Sequence, residues 1–262
     1  MKRTPILWGM VLLGSACAST PQLTQLSTPS SPKATAPFSG ITTDSLRLQD
    51  PTRKRLVPVV TYAPAIPQTH QPRLKVALLN HGYGGKNTDY SFIARNLVAH
   101  HYFVASIQHE LPGDEPIANT GNLLETRKPH WQRGVENMHF VLTELRRRQP
   151  GLDYRHLLLV GHSNGGDMVM LFAAEHPAQV QRVVSLDNRR MPLPRTRRPR
   201  VLSLRSSDQL PDSGVLPSPA EQAKLGTQIV WLPATRHNDM WDGATPAQQQ
   251  EMNAYISRFL EK

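Results

Sequence analysis

A mostly parallel β-sheet covered by helices on both faces is the α/β fold class this sequence predicts, and three observations predict it. Short runs rich in apolar residues recur along the chain, as at residues 74–80, 156–160 and 180–186, the composition of strands buried on both sides. Stretches with apolar residues every three or four positions alternate with them. Residues able to do chemistry cluster just after the runs, where ligands bind on parallel sheets.

In chain order, the folded part is expected to begin near Ile41–Leu46, with the main domain counted from residue 45 to 262. Arg55 to Tyr62 reads as an early strand, and Pro58 suggests an edge position because proline donates no ladder hydrogen bond. A strand over Leu74–Asn80, a helix over Asp89–His100 and a strand over Phe103–Ile107 follow. The stretch Glu110–His130 reads as a loop with some helix near Leu123 and Leu124. Trp131, Val135, Met138, Leu142 and Leu145 alternate spacings of four and three, marking an amphipathic helix. A strand over 156–160, a helix to Glu175, and strands over 180–186, 200–204 and 228–232 complete the alternation. Thr245-Pro246-Ala247-Gln248 is a capping box that opens a closing helix burying Met252, Tyr255, Ile256, Phe259 and Leu260.

The chemistry centres on Gly161-His162-Ser163-Asn164-Gly165, directly after the apolar run 156–160. A serine hydroxyl is a weak nucleophile unless a tight turn presents it beside a base, and glycines at both ends permit that turn. His81-Gly82-Tyr83-Gly84-Gly85 follows the 74–80 strand. Its glycine-rich backbone can approach a developing oxyanion, so the amides of Tyr83 and Asn164 are the expected donors. Of 11 histidines, only His237 lies between the last strand and the closing helix, the position for a general base. His81 and His162 flank the chemistry but read as structural, and His100, His101, His109, His130 and His139 read as surface or packing residues. Asp208, just after the 200–204 strand, is the first choice for the orienting acid. Asp187, after 180–186, is the alternative acid, and Asp212 a weaker one. Trp131 and Trp241 are candidates for pocket walls, with core packing the competing fate.

With elbow, glycine-rich turn, acid and histidine in this order, residues 45–262 resemble an α/β-hydrolase. The segment Asp50-Pro51-Thr52-Arg53-Lys54-Arg55-Leu56-Val57-Pro58-Val59 resembles the start of the dienelactone-hydrolase and platelet-activating-factor-acetylhydrolase-like branch. Dienelactone hydrolases proper carry a cysteine nucleophile where this chain has Ser163. The resemblance implies hydrolysis of a carboxylic ester or related acyl bond in a small-molecule substrate through Ser163, Asp208 and His237. The same fold also hosts amidases, peptidases, acyltransferases and perhydrolases, and a non-catalytic envelope-binding protein is the reading from outside enzymology. Many members insert a helical lid where this chain has only Asp187–Pro199, so little or no lid is expected.

No metal cluster or nucleotide motif occurs, so no cofactor is expected. The chain has 30 basic and 20 acidic side chains for a formal charge of +10, yet no nucleic-acid-binding signature, and no nucleic-acid partner is expected. Arg195, Arg197 and Arg198 suggest a cationic rim beside the site, against the plainer reading of a solvated basic loop. At the N-terminus, Lys2 and Arg3 precede an apolar stretch, Ile6–Ala16, shorter than the ~20 residues that span a bilayer. Residues 1–17 end in Leu13-Gly14-Ser15-Ala16-Cys17, which resembles a bacterial lipobox. Cys17 is the only cysteine and the expected lipid attachment point, placing the protein in the cell envelope with a membrane partner. Cleavage after Ala18 to give a secreted or periplasmic protein is the alternative. Residues 18–44, rich in Ser, Thr and Pro, read as a tether.

Overall fold

The computed structural model describes residues 40–65 and 72–261. One eight-stranded sheet has the order β1-β2-β4-β3-β5-β6-β7-β8. Its strands are β1 (Ile41–Asp50), β2 (Arg55–Pro64), β3 (Lys75–Asn80), β4 (Tyr102–Ile107), β5 (Asp153–His162), β6 (Val180–Leu186), β7 (Arg200–Arg205) and β8 (Gln228–Trp231). β1 pairs with β2, and β2 with β4, antiparallel; every pair from β4 to β8 is parallel.

The apolar runs work as their composition requires. Along β3, Val76 and Leu78 face one core while Ala77 and Leu79 face the other; in β5, Leu157 and Leu159 oppose Leu158 and Val160. The first core is closed by α3 (Lys128–Arg148) and α4 (Ser163–Glu175), the second by α1 (Ser91–Ala99) and α6 (Pro246–Glu261). Two short helices, α2 (Leu123–Thr126) and α5 (Pro219–Leu225), lie in connections. The Thr245–Gln248 capping box forms, the Gln248 amide donating to Thr245 Oγ1 at 3.3 Å and the Thr245 amide to Gln248 Oε1 at 2.9 Å.

The first strand begins at Ile41, within the expected start at Ile41–Leu46 and ahead of the bound at residue 45. One expectation changes: β1 takes the outer position that Pro58 suggested for β2. Pro58 is tolerated inside because the β2–β4 register starts at Val59, and only its carbonyl is used there, accepting from Gln108 N at 2.9 Å. The 187–199 connection carries no helix, as the short spacing implied. The signal-like segment, Cys17 and the tether up to residue 39 lie outside the described residues.

Because β3 to β8 are parallel, their carboxyl ends share one edge of the sheet. Ser163, Asp187 and the His237 loop all follow strands at that edge. The His237 loop is tied to it by Asp242, whose carboxylate accepts from Ser91 N (2.9 Å) and Phe92 N (3.0 Å) and so caps α1.

Candidate active site

β5 ends at His162, and Ser163 opens α4 with φ +51°, a left-handed backbone that lifts the hydroxyl out of the strand-to-helix turn. Both glycines are needed for closeness. A Cβ on Gly161 would collide with the Gly165 carbonyl, and one on Gly165 with the carbonyls of Asn80 and His81. The elbow therefore packs directly on the end of β3, beside the turn that carries Tyr83.

Ser163 Oγ lies 2.9 Å from His237 Nε2, and His237 Nδ1 lies 2.7 Å from Asp187 Oδ2. Asp187 is fully buried and also accepts from Ser206 N (3.2 Å) and Ser206 Oγ (2.6 Å). Its Oδ1 is 3.0 Å from Arg205 Nη2, and Arg205 is likewise fully buried. Burial alone would raise the Asp187 carboxyl. The bond from His237, the Arg205 charge and the Ser206 bonds outweigh it and hold the group below the usual carboxylate range.

The structure brings Asp187, the alternative acid, to the His237 ring in place of Asp208, the first choice. Asp208 meets the backbone of His237, not its imidazole: Oδ1 accepts from His237 N at 2.7 Å, and Oδ2 is 3.4 Å from Arg236 Nε. β6 and β7 are neighbouring parallel strands ending level with each other, so either can deliver a carboxylate. Asp187 follows β6 immediately with φ +56°, while Asp208 sits three residues beyond β7 in a solvent-facing loop. Asp212 lies farther along, and its carboxylate faces Arg190 at 3.9 Å.

His162 and His81 are structural, as expected, but their bonds carry more than packing. His162 Nε2 faces the His237 carbonyl at 3.1 Å, so this nitrogen carries the proton. Nδ1 then accepts from the Tyr90 hydroxyl at 2.7 Å, and Tyr90 accepts from Gly82 N at 3.1 Å. One chain of bonds thus joins the glycine-rich turn, the elbow and the histidine loop. On the other side of the turn, His81 Nδ1 donates to the Gly82 carbonyl at 2.8 Å, and Nε2 accepts from His109 N at 3.0 Å.

Asn164 is buried, its Oδ1 accepting from Trp131 Nε1 at 2.8 Å and its Nδ2 donating to His130 Nδ1 at 3.3 Å. Trp131 is therefore a core residue that fixes the elbow and not a pocket wall. Trp241 and Tyr83, 42% and 47% exposed, do line the cleft of about 380 Å³ that holds Ser163, His162 and His237. None of Arg195, Arg197 and Arg198 lines the Ser163 cleft. Arg195 is turned to the carbonyls of Leu193, Gly214 and Val215, and Arg197 and Arg198 come just before β7, whose start lies at the sheet edge opposite Ser163, so they form no rim. Among the described residues, no group of histidine, cysteine and carboxylate side chains could hold a metal ion.

Two buried histidines make stability depend on pH. Burial, then the neighbouring His237 charge, pushes His162 down to about 3, and burial pushes His109 well below its ordinary value. Both stay neutral in the folded protein while the unfolded chain protonates them near pH ~6.5. The unfolded state then binds more protons, so stability falls as pH drops below ~6.5, by about 1.4 kcal/mol per pH unit and ring. Urea titrations between about pH 6.5 and about pH 4.5 should show this slope. The non-titrating His162→Gln should flatten it by about one proton, and an unchanged slope would contradict the assignment.

Comparison with known proteins agrees with this architecture. A hydrolase family described as serine aminopeptidase, S33, matches residues 70–186, from ahead of β3 to the end of β6. No curated protein matches the chain. The ferulic acid esterase of Streptomyces cinnamoneus superimposes with a TM-score of 0.62 at 18% identity, covering 87% of this chain and 90% of that one. A Klebsiella pneumoniae protein assigned as a dienelactone hydrolase gives 0.59 at 14%, covering 85% and 99%. The S-formylglutathione hydrolase of Staphylococcus aureus gives 0.56 at 13%, covering 85% and 97%. Strand order, elbow and these likenesses define the class: the chain has the α/β-hydrolase fold, and its residues 70–186 match a hydrolase family.

Proposed function

We propose that the protein is a serine esterase acting on small carboxylic esters through Ser163, His237 and Asp187. The observation that carries this reading is the continuous hydrogen-bonded relay from Ser163 Oγ through His237 to a buried, charge-compensated Asp187. His237 Nε2 takes the proton as Ser163 Oγ attacks the carbonyl carbon. Asp187 holds the ring with Nδ1 protonated and stabilises the imidazolium. The amides of Tyr83 and Asn164 receive the oxyanion, the second at the first turn of α4 where amides point outward unpaired. Collapse of the tetrahedral species breaks the ester bond, and His237 gives its proton to the leaving alcohol. Water, deprotonated by His237, then attacks the acyl-enzyme and releases the acid with Ser163 regenerated.

The cleft is open, with no lid in the 187–199 connection, which suits substrates that need no large enclosing pocket. Residues 1–17 are further proposed, on their sequence, to end in a lipid-anchored Cys17 that holds the enzyme in the cell envelope. The experiment is a panel of p-nitrophenyl, aryl and alkyl esters beside matched anilides and peptides. Hydrolysis of esters, exceeding that of amides by about 100-fold or more in kcat/KM, is expected. Preferential cleavage of N-terminal peptide bonds would replace the esterase by an aminopeptidase. Transfer to an added alcohol in preference to water would replace it by an acyltransferase.

A further inference from the structure

The charge of +10 is not spread evenly over the sheet. Lys75, Arg155, Arg182 and Arg200 each lie within the first three residues of β3, β5, β6 and β7, at the edge opposite Ser163. Connections reaching that edge add more: Arg146, Arg147 and Arg148 end α3, Arg197 and Arg198 precede β7, and Lys224 is in the last turn of α5. The acids there, among the described residues, include Glu144, Asp153, Glu175 and Glu261, with Glu221 one turn before Lys224 in α5. Glu144 is engaged by Arg147 and Arg148, each at 3.0 Å, and Asp153 by Arg155 at 3.3 Å. The catalytic edge is mixed in charge. Asp89, Glu115, Glu125, Asp208, Asp212 and Asp239 lie on its loops beside Arg53, Lys54, Lys86, Arg127, Arg189 and Arg190, and Arg55 and Arg236 there pair with Asp114 and Asp208.

Helix carboxyl ends favour cations, which accounts for Arg146–Arg148 and Lys224. It does not account for the basic strand starts or for the exposed Arg197 and Arg198. A second observation points the same way. β2 runs from the catalytic edge to Pro64, Ile41 pairs with Pro64, and Ala65 N donates to the Gly40 carbonyl at 2.6 Å. The chain therefore joins the domain at the basic edge, and every residue before Gly40, Cys17 included, is covalently attached there.

We propose that the basic edge is a docking surface for an anionic bilayer, which it meets with the Ser163 cleft turned away from the membrane. Lysines and arginines near a charged leaflet each strengthen binding, and salt screens the effect within a Debye length. The esterase reading is not needed for this surface, and the test is independent of it.

The full chain is co-sedimented with vesicles of phosphatidylcholine alone and of phosphatidylcholine mixed with phosphatidylglycerol. Any contribution of the apolar N-terminal stretch is common to both. Wild type should partition about tenfold or more better onto the anionic vesicles, and lose that gain in high salt. The combined Arg146→Glu, Arg147→Glu, Arg197→Glu and Arg198→Glu variant should lose the gain, while the four corresponding lysine substitutions keep it. Both should retain wild-type thermal midpoint and soluble-ester turnover. Should the glutamate variant fail to fold, Arg197→Glu with Arg198→Glu on their exposed loop and the wild-type salt titration make the same test. An equal wild-type partition onto both vesicle types, or an undiminished gain in the folded glutamate variants, overturns the proposal. So does tighter binding of duplex DNA than of anionic vesicles at the same salt, which would make the edge a nucleic-acid surface.

Discussion

Asp187→Asn should lower kcat/KM on a p-nitrophenyl ester by about 10⁴ with the fold intact, because an amide facing Nδ1 favours the wrong tautomer of His237. Asp208→Asn should stay within about tenfold of wild type, since the amide oxygen can still accept from the His237 backbone. The contrast follows from two distances of 2.7 Å that end on different atoms of one residue, His237 Nδ1 for Asp187 and the backbone nitrogen for Asp208. The environments differ as well. Asp187 is sealed in with Arg205 and Ser206, while Asp208 is near the surface, its side chain 30% exposed. A charge held in the interior acts on the imidazolium with little screening, and one at the surface does not. Steady-state kinetics of the two variants, with circular dichroism to confirm folding, checks the pair. Equal losses, or a larger loss for Asp208→Asn, would return the acid to the β7 loop.

Much of this architecture is legible along the chain, for physical reasons. Strands buried on both faces are apolar over their central residues, which makes Val76–Leu79 of β3 and Leu157–Val160 of β5 stand out. A nucleophile on a strained turn needs glycine wherever backbones touch, so Gly161 and Gly165 announce Ser163. His237 is legible because only one histidine lies between the last strand and the closing helix.

The acid is less legible. Asp187 and Asp208 both follow apolar strands, and sequence order carries no information about which carboxylate turns inward. One signal was present: Arg205 ends the apolar run Val201-Leu202-Ser203-Leu204, and an arginine buried at a strand end requires a buried anion nearby. That anion is Asp187. The Tyr90–His162 link joins residues 72 positions apart and could not be read from local pattern. The arginines of the 187–199 connection misled for a geometric reason. That segment crosses the whole height of the sheet, so closeness to Asp187 in sequence becomes distance in space. The same crossing puts Arg197 and Arg198 on the basic edge.

Covalent capture separates a nucleophilic Ser163, activated by His237 and Asp187, from an unreactive serine on the same turn. The chain is treated with a fluorophosphonate and the adduct located by peptide mass mapping. A single adduct on Ser163 is expected. Ser163→Ala should give no adduct and lose about 10⁴-fold or more in ester kcat/KM. Asp187→Asn should label far more slowly than Asp208→Asn. No adduct on folded wild-type protein, an adduct on another serine, or full ester turnover by Ser163→Ala would contradict the nucleophilic role.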